Sequence, residues 1–542
     1  MTTRPIALAT LAASLALLVY ANTLHNPFVY DDRTEVLENP SIRGLADLNQ
    51  VLTYNRTRPI TNLSYAVDYW FSGLDPVAYH VTSILLHVTV VALLFALVRR
   101  LIRDAHGVDH QDGAIGADVG AFVAAALVAV HPMMTEAVGY ISSRADLLCG
   151  VFVLASLVCF RRAFVGRSSW ATAGWCFFLL AVSSKETGVM LPFLLLAYDR
   201  LLVTSSGEQR RARLLKIHLP LLVAVTIMAL VRAGVYVVVE QQASSFALAW
   251  RNVPLQLYTV GRYMGMLVVP LNQSIVPAVP RINSWWEVPV LTSLILLGVM
   301  IGLAYSRRRT LPLVSFGIVW FLLMLVPSAA LLVLADVGQA MAEHRAYLAN
   351  CGIFLAVGSV VAKVFPPRLP LRPLRLVGVG AGIALTLALC IGLSLARNQV
   401  WSDPLGLWEE AVRRDPQGWF QHYGAADAYR THGDLVRAAT SYDKAIALYS
   451  GNARVFSDLA DVLIELERFG RARDVLEAAL RLHPGNDVVR LRLATLEGDV
   501  FHDREQGLAL CRASLLGSHR DLAEECIRRY ERQPLSTSSA PR

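Results

Sequence analysis

Along most of the chain, apolar runs of bilayer-spanning length alternate with short polar stretches. After about residue 397 the pattern changes to an amphipathic, helical tail. A helix needs about 20 apolar residues to cross a hydrocarbon core, and the runs predict eleven such spans. The first occupies 5–21 and is followed by a polar segment over about 23–77. The second lies near 78–98, the third near 117–131, and the fourth ends at Arg161 and Arg162. The fifth covers about 169–183, the sixth ends at Asp199-Arg200, and the seventh lies near 217–239. A long segment closing on Trp285 and Trp286 then leads to the eighth. The ninth ends at Glu343-His344-Arg345, the tenth at Lys363, and the eleventh lies near 376–396.

Charge placement adds a direction to these spans. Arg99, Arg100 and Arg103, then Arg161, Arg162 and Arg167, then Arg210, Arg211, Arg213 and Lys216, then Arg307, Arg308 and Arg309, then Lys363, Arg368, Arg372 and Arg375 occupy alternate loops. Basic clusters confined to one side mark the cytoplasmic face, which puts the N-terminus in the cytoplasm. Arg4 and the first span read as an uncleaved signal anchor, since no small-x-small cleavage site follows. The net charge of +8 therefore reports orientation and contact with anionic lipid, with no nucleic-acid partner implied. A hydrophobic content of 55% against 17% charged residues excludes an ordinary soluble protein.

The tail carries an internal repeat. Pro416 and Pro484 stand 68 residues apart, twice 34, with Ser450 midway. In that frame Gly424 matches Asp458, Ala438 matches Ala472, Tyr442 matches Leu476, and Ala445 matches Ala479. Small residues where helices cross, with a larger apolar one between, are the mechanics of tetratricopeptide repeats. Two repeats are well formed and a third over 485–518 is degraded. Stacked repeats present a concave face suited to a protein or peptide partner. The expected division is a membrane domain at 1–397, helical repeats at 398–532 and a disordered tail at 533–542. Five cysteines lie in or beside apolar runs. Cys511 and Cys526, fifteen apart in the tail, have a spacing that lets them bridge antiparallel helices in an oxidising compartment.

Polar residues able to do chemistry gather on the side opposite the basic clusters. The first loop supplies Asp31, Asp32 and Arg58. The second supplies His131, Glu136, Arg144 and Asp146, the third Lys185 and Glu186, and the fifth Glu343, His344 and Arg345. Arg232 falls inside the seventh span, where it either snorkels outward or pairs with a lipid phosphate or carboxylate. Carboxylates and cations at one membrane surface suit chemistry on a lipid-borne anion: cations hold phosphate, and a carboxylate takes a proton from an acceptor hydroxyl. His131 and Glu136 lack metal-helix spacing, and no Cys-x-x-Cys or His-x-x-x-His is present. A divalent cation (Mg2+ or Mn2+) at Asp31, Asp32 and Glu136 is the one metal arrangement left open, and no other cofactor is implied. The absence of a Gly-x-x-x-x-Gly-Lys-Ser/Thr loop argues against a nucleotide-driven pump.

Six short motifs occur in order: Tyr30-Asp31-Asp32; Arg58-Pro59-Ile60 leading to Tyr79-His80; His131-Pro132-Met133-Met134-Thr135-Glu136-Ala137-Val138; Ser143-Arg144-Ala145-Asp146-Leu147-Leu148; Ser184-Lys185-Glu186-Thr187-Gly188 with Tyr198-Asp199; and Glu343-His344-Arg345-Ala346-Tyr347-Leu348. Together with the repeats they resemble the transmembrane and TPR-repeat-containing proteins. These form a branch of the GT-C glycosyltransferases whose animal members are implicated in O-mannosylation. The resemblance implies an all-α, polytopic GT-C fold. It also implies transfer of a mannose-like hexose from a polyprenyl-phosphate donor to a hydroxyl of protein Ser/Thr or a glycan, with inversion, on the non-cytoplasmic face. The catalytic base then falls on Asp31 or Asp32. Arg58, Lys185 and Arg345, with Arg144 and Arg232 in reserve, would hold the donor phosphate. Glu136, Asp146, Glu186, His131, Glu343 and His344 would orient the acceptor or those cations. Short loops and a compact tail look bacterial, which implies an inner-membrane protein with periplasmic repeats. The rival reading is a non-enzymatic scaffold that recruits a partner through the repeats.

Overall fold

The computed structural model describes residues 3–105, 114–166, 169–238, 246–280, 282, 284–334, 339–365, 373–515, 517 and 519–532. The expected disordered tail, 533–542, lies outside the described residues. Among those described, every regular element is helical. The chain divides into two compact units, one of residues 1–273 with 279–403, the other of 274–278 with 404–542.

In the first unit α1 (Arg4–Tyr20) begins with Pro5 in its first turn, where a missing N–H costs nothing. The polar loop after it is itself structured. It contains α2 (Leu48–Tyr54), capped by the Asp47 carboxylate on the Gln50 N–H at 2.9 Å, and α3 (Pro59–Ser72). The 30-residue α4 (Pro76–Ala105) and α5 (Ala114–Val130) follow. At His131-Pro132 the chain bends by 61° into the short α6 (Thr135–Gly139). Proline disfavours helical backbone at the residue before it, so the span breaks there. Next come α7 (Arg144–Phe164), α8 (Trp170–Ser184), α9 (Leu191–Leu202), α10 (Gly207–Arg213), α11 (Leu219–Val238) and α12 (Phe246–Val268). The unit closes with α13 (Val288–Arg307), α14 (Pro312–Leu334), α15 (Tyr347–Lys363) and α16 (Pro373–Val400).

Among the described residues, eight helices are long and apolar enough to cross a membrane, or nine with the bent α5–α6 pair as one span. The chain is a multi-pass membrane protein. The fifth and sixth expected spans are α8 and α9, of 15 and 12 residues, shorter than one bilayer crossing requires. Within the long segment before the eighth span lies the 23-residue α12, whose apolar pattern is interrupted by Gln256 and Thr259, both buried.

Helices in lipid gain little from hydrophobic burial against each other, so close backbone approach at small residues matters more. Gly120 of α5 faces Gly358 of α15, and Gly317 of α14 faces Gly352 of α15. A Cβ at any of the four would collide with the opposite glycine's carbonyl oxygen. Around these crossings the core is filled by Val90, Leu94, Ala124, Leu154, Trp320 and Leu355.

The second unit stacks α17 (Pro404–Arg414), α18 (Trp419–Thr431), α19 (Leu435–Leu448), α20 (Ala453–Glu465), α21 (Phe469–Leu482), α22 (Asp487–Thr495), α23 (Arg504–Ala513) and α24 (Arg520–Arg532). The starts of α18, α20 and α22 are 34 residues apart, as are those of α19 and α21. Asn452 and Asn486, also 34 apart, cap α20 and α22 through side-chain acceptors. Ala438, Ala472, Tyr442, Leu476, Ala445 and Ala479, matched in the sequence frame, are all fully buried. Gly424 is required where the Trp408 ring lies against its backbone. Cys511 and Cys526 are joined as a disulfide between α23 and α24.

Candidate functional site

The acidic doublet sits on a sharply turned segment. Tyr30 takes a φ of +53°, a conformation unfavourable for a bulky side chain and kept only where surroundings enforce it. Asp32 supplies much of that enforcement. Its Oδ2 accepts the Val29 N–H at 3.0 Å, and its Oδ1 accepts the Ser142 N–H at 2.8 Å and the Ser142 hydroxyl. The buried Asp32 carboxylate thereby ties the first loop to the second.

Asp31 points elsewhere. Its N–H donates to the Tyr140 hydroxyl at 3.0 Å, and that hydroxyl is also hydrogen-bonded to the Asp31 carboxylate. Tyr140 is stacked between Tyr30, at 6.1 Å between ring centres, and Trp401, at 5.5 Å. Asp31 is reached by solvent, yet protein crowds it on most sides. That crowding pushes its carboxyl up to about 6, against the Tyr140 hydrogen bond and helped by Glu35. Arg58 and Arg345 pull the other way. Burial pushes Asp32 up to about 7, opposed by the hydrogen bonds from Ser142 and Val29.

Two ion pairs join the third loop to its neighbours. Arg58, at the start of α3, meets Glu186 at 3.2 Å, with 35% and 31% of the two side chains still exposed. Burial alone would raise the Glu186 carboxyl, but Arg58 and Lys185 hold it down at about 2. Lys185 pairs with Asp146 at 2.6 Å, and both are buried. Thr61 donates to the Ser184 carbonyl at 3.0 Å, pinning the start of α3 to the end of α8.

A third junction joins the second and fifth loops. Glu136 Oε2 accepts the N–H groups of Glu343 (2.7 Å) and His344 (3.1 Å), and its Oε1 meets His344 Nδ1 at 2.9 Å. The carboxylate thus takes up N–H groups of the helical turn that opens α15, where the dipole favours negative charge. Gln273 Nε2 donates to Glu343 at 2.5 Å and to the Pro132 carbonyl at 3.0 Å. Tyr263 donates to the Ala342 carbonyl at 2.7 Å. Arg345 donates to the Gln339 carbonyl at 3.2 Å. It has no carboxylate within ion-pairing distance among the described residues, while its charge acts on both Asp31 and Glu136.

The fold therefore brings Asp31, Arg58, Arg345, Glu136, His344, Asp146, Lys185 and Glu186 into one electrostatic neighbourhood. Other expected members have different positions. Arg144 is fully buried, paired with Asp68 at 2.5 Å, bonded to the Tyr79 carbonyl at 2.8 Å and lying over the Tyr65 ring, so it braces the first loop from inside. His131 accepts the Met133 N–H at 3.2 Å and meets the Leu267 carbonyl at 3.2 Å, which occupies both ring nitrogens. Arg232 lies on α11, with its side chain outside the described residues. Among the described residues no group of three His, Cys, Asp or Glu side chains is placed to hold a metal ion. The oxygens of Asp32 and Glu136 accept hydrogen bonds from protein donors. A small cavity between α12 and α14, lined by Gln256, Thr259, Tyr263, Leu325 and Ser328, is separate from the doublet.

Sequence reasoning missed Tyr140, Ser142, Gln273, Tyr263, Trp401 and Arg397. Tyr140 and Ser142 lie in the second loop, between two of the motifs, where an aromatic and a hydroxyl beside a broken helix were the available signal. Arg397 lies 5.7 Å from the Trp401 ring and acts electrostatically on Glu136, yet nothing local distinguishes it from a residue that ends a span.

Two segments of the chain, 391–453 and 429–492, match the tetratricopeptide repeat. The chain is similar to protein O-mannosyl-transferase tmtc2 of Xenopus laevis, at 32% identity over 209 residues, 35% of this chain and 23% of the relative. It is similar to human protein O-mannosyl-transferase TMTC1, at 22% identity over 534 residues, covering 84% and 56%. A third relative is protein O-mannosyl-transferase F38B6.6 of Caenorhabditis elegans, at 23% identity over 458 residues, covering 80% and 62%. The chain spans less than two thirds of the length of the curated relatives it matches. The solved APC/C hetero-tetramer Cut9–Hcn1 superposes with a TM-score of only 0.23, at 12% identity over 90% of each chain, too low to indicate a shared fold.

Proposed function

We propose that this chain, which belongs to the transmembrane and TPR-repeat-containing (TMTC-type) family, is a glycosyltransferase moving a mannose-like hexose from a polyprenyl-phosphate donor to a hydroxyl acceptor. The observation that carries this reading is the difference between the two aspartates. Asp32 is committed to Val29 and Ser142, whereas Asp31 is accessible and feels the charges of Arg58 and Arg345.

Asp31, in its ionised form, takes the proton of the acceptor hydroxyl. The oxygen attacks the anomeric carbon from the face opposite the phosphate, the sugar–phosphate bond breaks, and polyprenyl phosphate leaves with its negative charge increased. Arg345, without a carboxylate partner among the described residues, and the half-exposed Arg58 stabilise that charge as it grows. Lys185, held by Asp146, contributes its field from a buried position. Glu136 fixes the turn bearing Arg345. Tyr140 orients Asp31.

In this reading the chemistry and the repeats face the non-cytoplasmic side, the periplasm of a bacterial inner membrane. The placement of basic clusters supports that orientation, and the Cys511–Cys526 disulfide supports an oxidising compartment for the repeats. The test is sugar transfer from a polyprenyl-phosphate donor by Asp31→Asn and Asp32→Asn variants. Asp31→Asn is expected to lose about 10²–10⁴-fold in rate. Wild-type turnover in both variants would remove the doublet from the chemistry, and absence of transfer by the wild-type chain would leave the scaffold reading, in which the repeats alone recruit a partner.

A further inference from the structure

At the basic end of the membrane unit the carboxylates are shared out unevenly. Arg99 of α4 pairs with Asp118 of α5 at 2.5 Å, Arg161 of α7 with Asp104 of α4 at 2.6 Å, and Arg213 of α10 with Asp199 of α9 at 2.7 Å. The last pair employs the Tyr198-Asp199 motif, whose tyrosine ring stacks on Phe164 of α7. Arg100 and Arg103 of α4 and Arg162 of α7, by contrast, have no carboxylate within ion-pairing distance among the described residues.

The unpaired cations are also close together. Arg100 feels the charges of Arg161, Arg162 and Arg99, and the nearby Asp104 is already bound to Arg161. Like charges held side by side by packed helices repel one another unless an anion sits among them. The dipole at a helix end favours cations within the last turn. That accounts for Arg162, in the last turn of α7, but Arg100 stands more than a turn before the end of α4 at Ala105.

The guanidinium of Arg162 lies 4.2 Å from the centre of the Trp170 ring, at the start of α8. Stacking covers one face of this planar group and leaves the N–H donors around its edge available, and none of them donates to a protein acceptor among the described residues. Tryptophan at the end of an apolar segment is favoured at headgroup level. Arg162 is thereby held at the depth of lipid phosphates.

We infer that Arg100 and Arg162, on the packed helices α4 and α7, bind the phosphate of an anionic bilayer phospholipid, with the Trp170 ring as one wall of the site. Charge complementarity selects this occupant. A phosphodiester accepts hydrogen bonds from both guanidinium groups, and a headgroup with no cation of its own avoids repulsion from Arg99 and Arg103. Basic pockets between spans are suited to acidic headgroups in this way. The inference rests on the chain being a membrane protein and stands whether or not it transfers a sugar.

The experiment strips full-length protein of lipid in a neutral detergent and titrates it with phosphatidylglycerol, phosphatidylcholine or inorganic phosphate. Native mass spectrometry counts the molecules retained. Wild type is expected to retain phosphatidylglycerol in preference to phosphatidylcholine, and millimolar inorganic phosphate should not displace it. Equal retention of the two lipids would overturn the inference, and displacement by inorganic phosphate would make the ligand a free anion, with the same consequence. These comparisons need no variant to fold. A cation at a membrane surface is worth about fivefold toward acidic lipid, so Arg100→Gln with Arg162→Gln should weaken phosphatidylglycerol binding by about 25-fold. Arg307→Gln with Arg309→Gln removes the same charge from exposed positions after α13 and should leave binding unchanged. An equal loss in both double variants would mean a diffuse effect of net charge and would remove the site.

Discussion

The Asp31 carboxylate meets Tyr140 and feels Arg58 and Arg345, while the oxygens of Asp32 are occupied by Val29 and Ser142. A base must be ionised to accept a proton, so turnover is expected to fall as the pH drops through about 6, the value to which crowding pushes Asp31. The Tyr140 hydrogen bond favours the ionised form of Asp31. Tyr140→Phe should therefore move this acid limb to higher pH while keeping the ring between Tyr30 and Trp401. A pH–rate profile decides, and an unmoved limb would mean that Asp31 is not the base. Removing one preorganised donor to a developing anion typically costs about 10²–10³-fold in rate, and Arg345→Gln should lose that much in kcat with a polyprenyl-phosphate donor. The Glu186 carboxyl, held at about 2, has the opposite sign in stability. Its pairing contributes fully above the unfolded carboxylate range and is lost as the pH falls towards 2. Both aspartates, Arg58, Glu136, Lys185 and Arg345 stood out in the sequence because charge beside an apolar span is costly without a purpose. Tyr140, Ser142 and Trp401 did not, since uncharged residues near span ends are commonplace.

Close helix crossings hold the scaffold of the site. Gly120 and Gly358 bring α5 against α15, and Gly317 and Gly352 bring α14 against α15, with no room for a side chain. Since α15 opens with the Glu343–Arg345 turn, these crossings set where Arg345 stands. Gly358→Leu is expected to destabilise by about 1–3 kcal/mol or more, since overpacking at a rigid crossing forces backbone shifts. Thermal unfolding in detergent reads the change. In the repeats, replacing Cys511 and Cys526 by serine opens a 15-residue loop and should cost about 3 kcal/mol. Far-UV melting of the full chain, with and without reductant, should show this loss in wild type and not in the double variant. Element identity was legible where period and caps agreed, as in the 34-residue frame of α18 to α22. It failed at α12, where Gln256 and Thr259 are polar yet buried. At α8 and α9 the helices stand where the apolar runs put them, but at 15 and 12 residues they are shorter than one bilayer crossing requires.

At the scale of the whole molecule, each unit has a hydrophobic core of its own, one among the membrane helices and one among the repeats. A chain ending at Asp403 should keep sugar transfer to a small hydroxyl acceptor if the chemistry belongs to the first unit. Complete loss of transfer with the membrane unit still folded would mean that the chemistry needs the repeats as well. The sequence by itself determined the membrane class, the repeat period and the set of charged residues to consider. Hydropathy, charge asymmetry and repeat spacing are local or periodic quantities, and they survive in one dimension. Tertiary structure alone decided that Arg144 is an internal brace and Arg345 is not, that Asp32 is locked and Asp31 accessible, and that His131 is bonded at both nitrogens. Whether a charge is neutralised depends on which distant segment packs against it. Asp68 meets Arg144, Ser142 meets Asp32 and Glu136 meets His344 only after the spans assemble, and no pattern along the chain encodes those pairings.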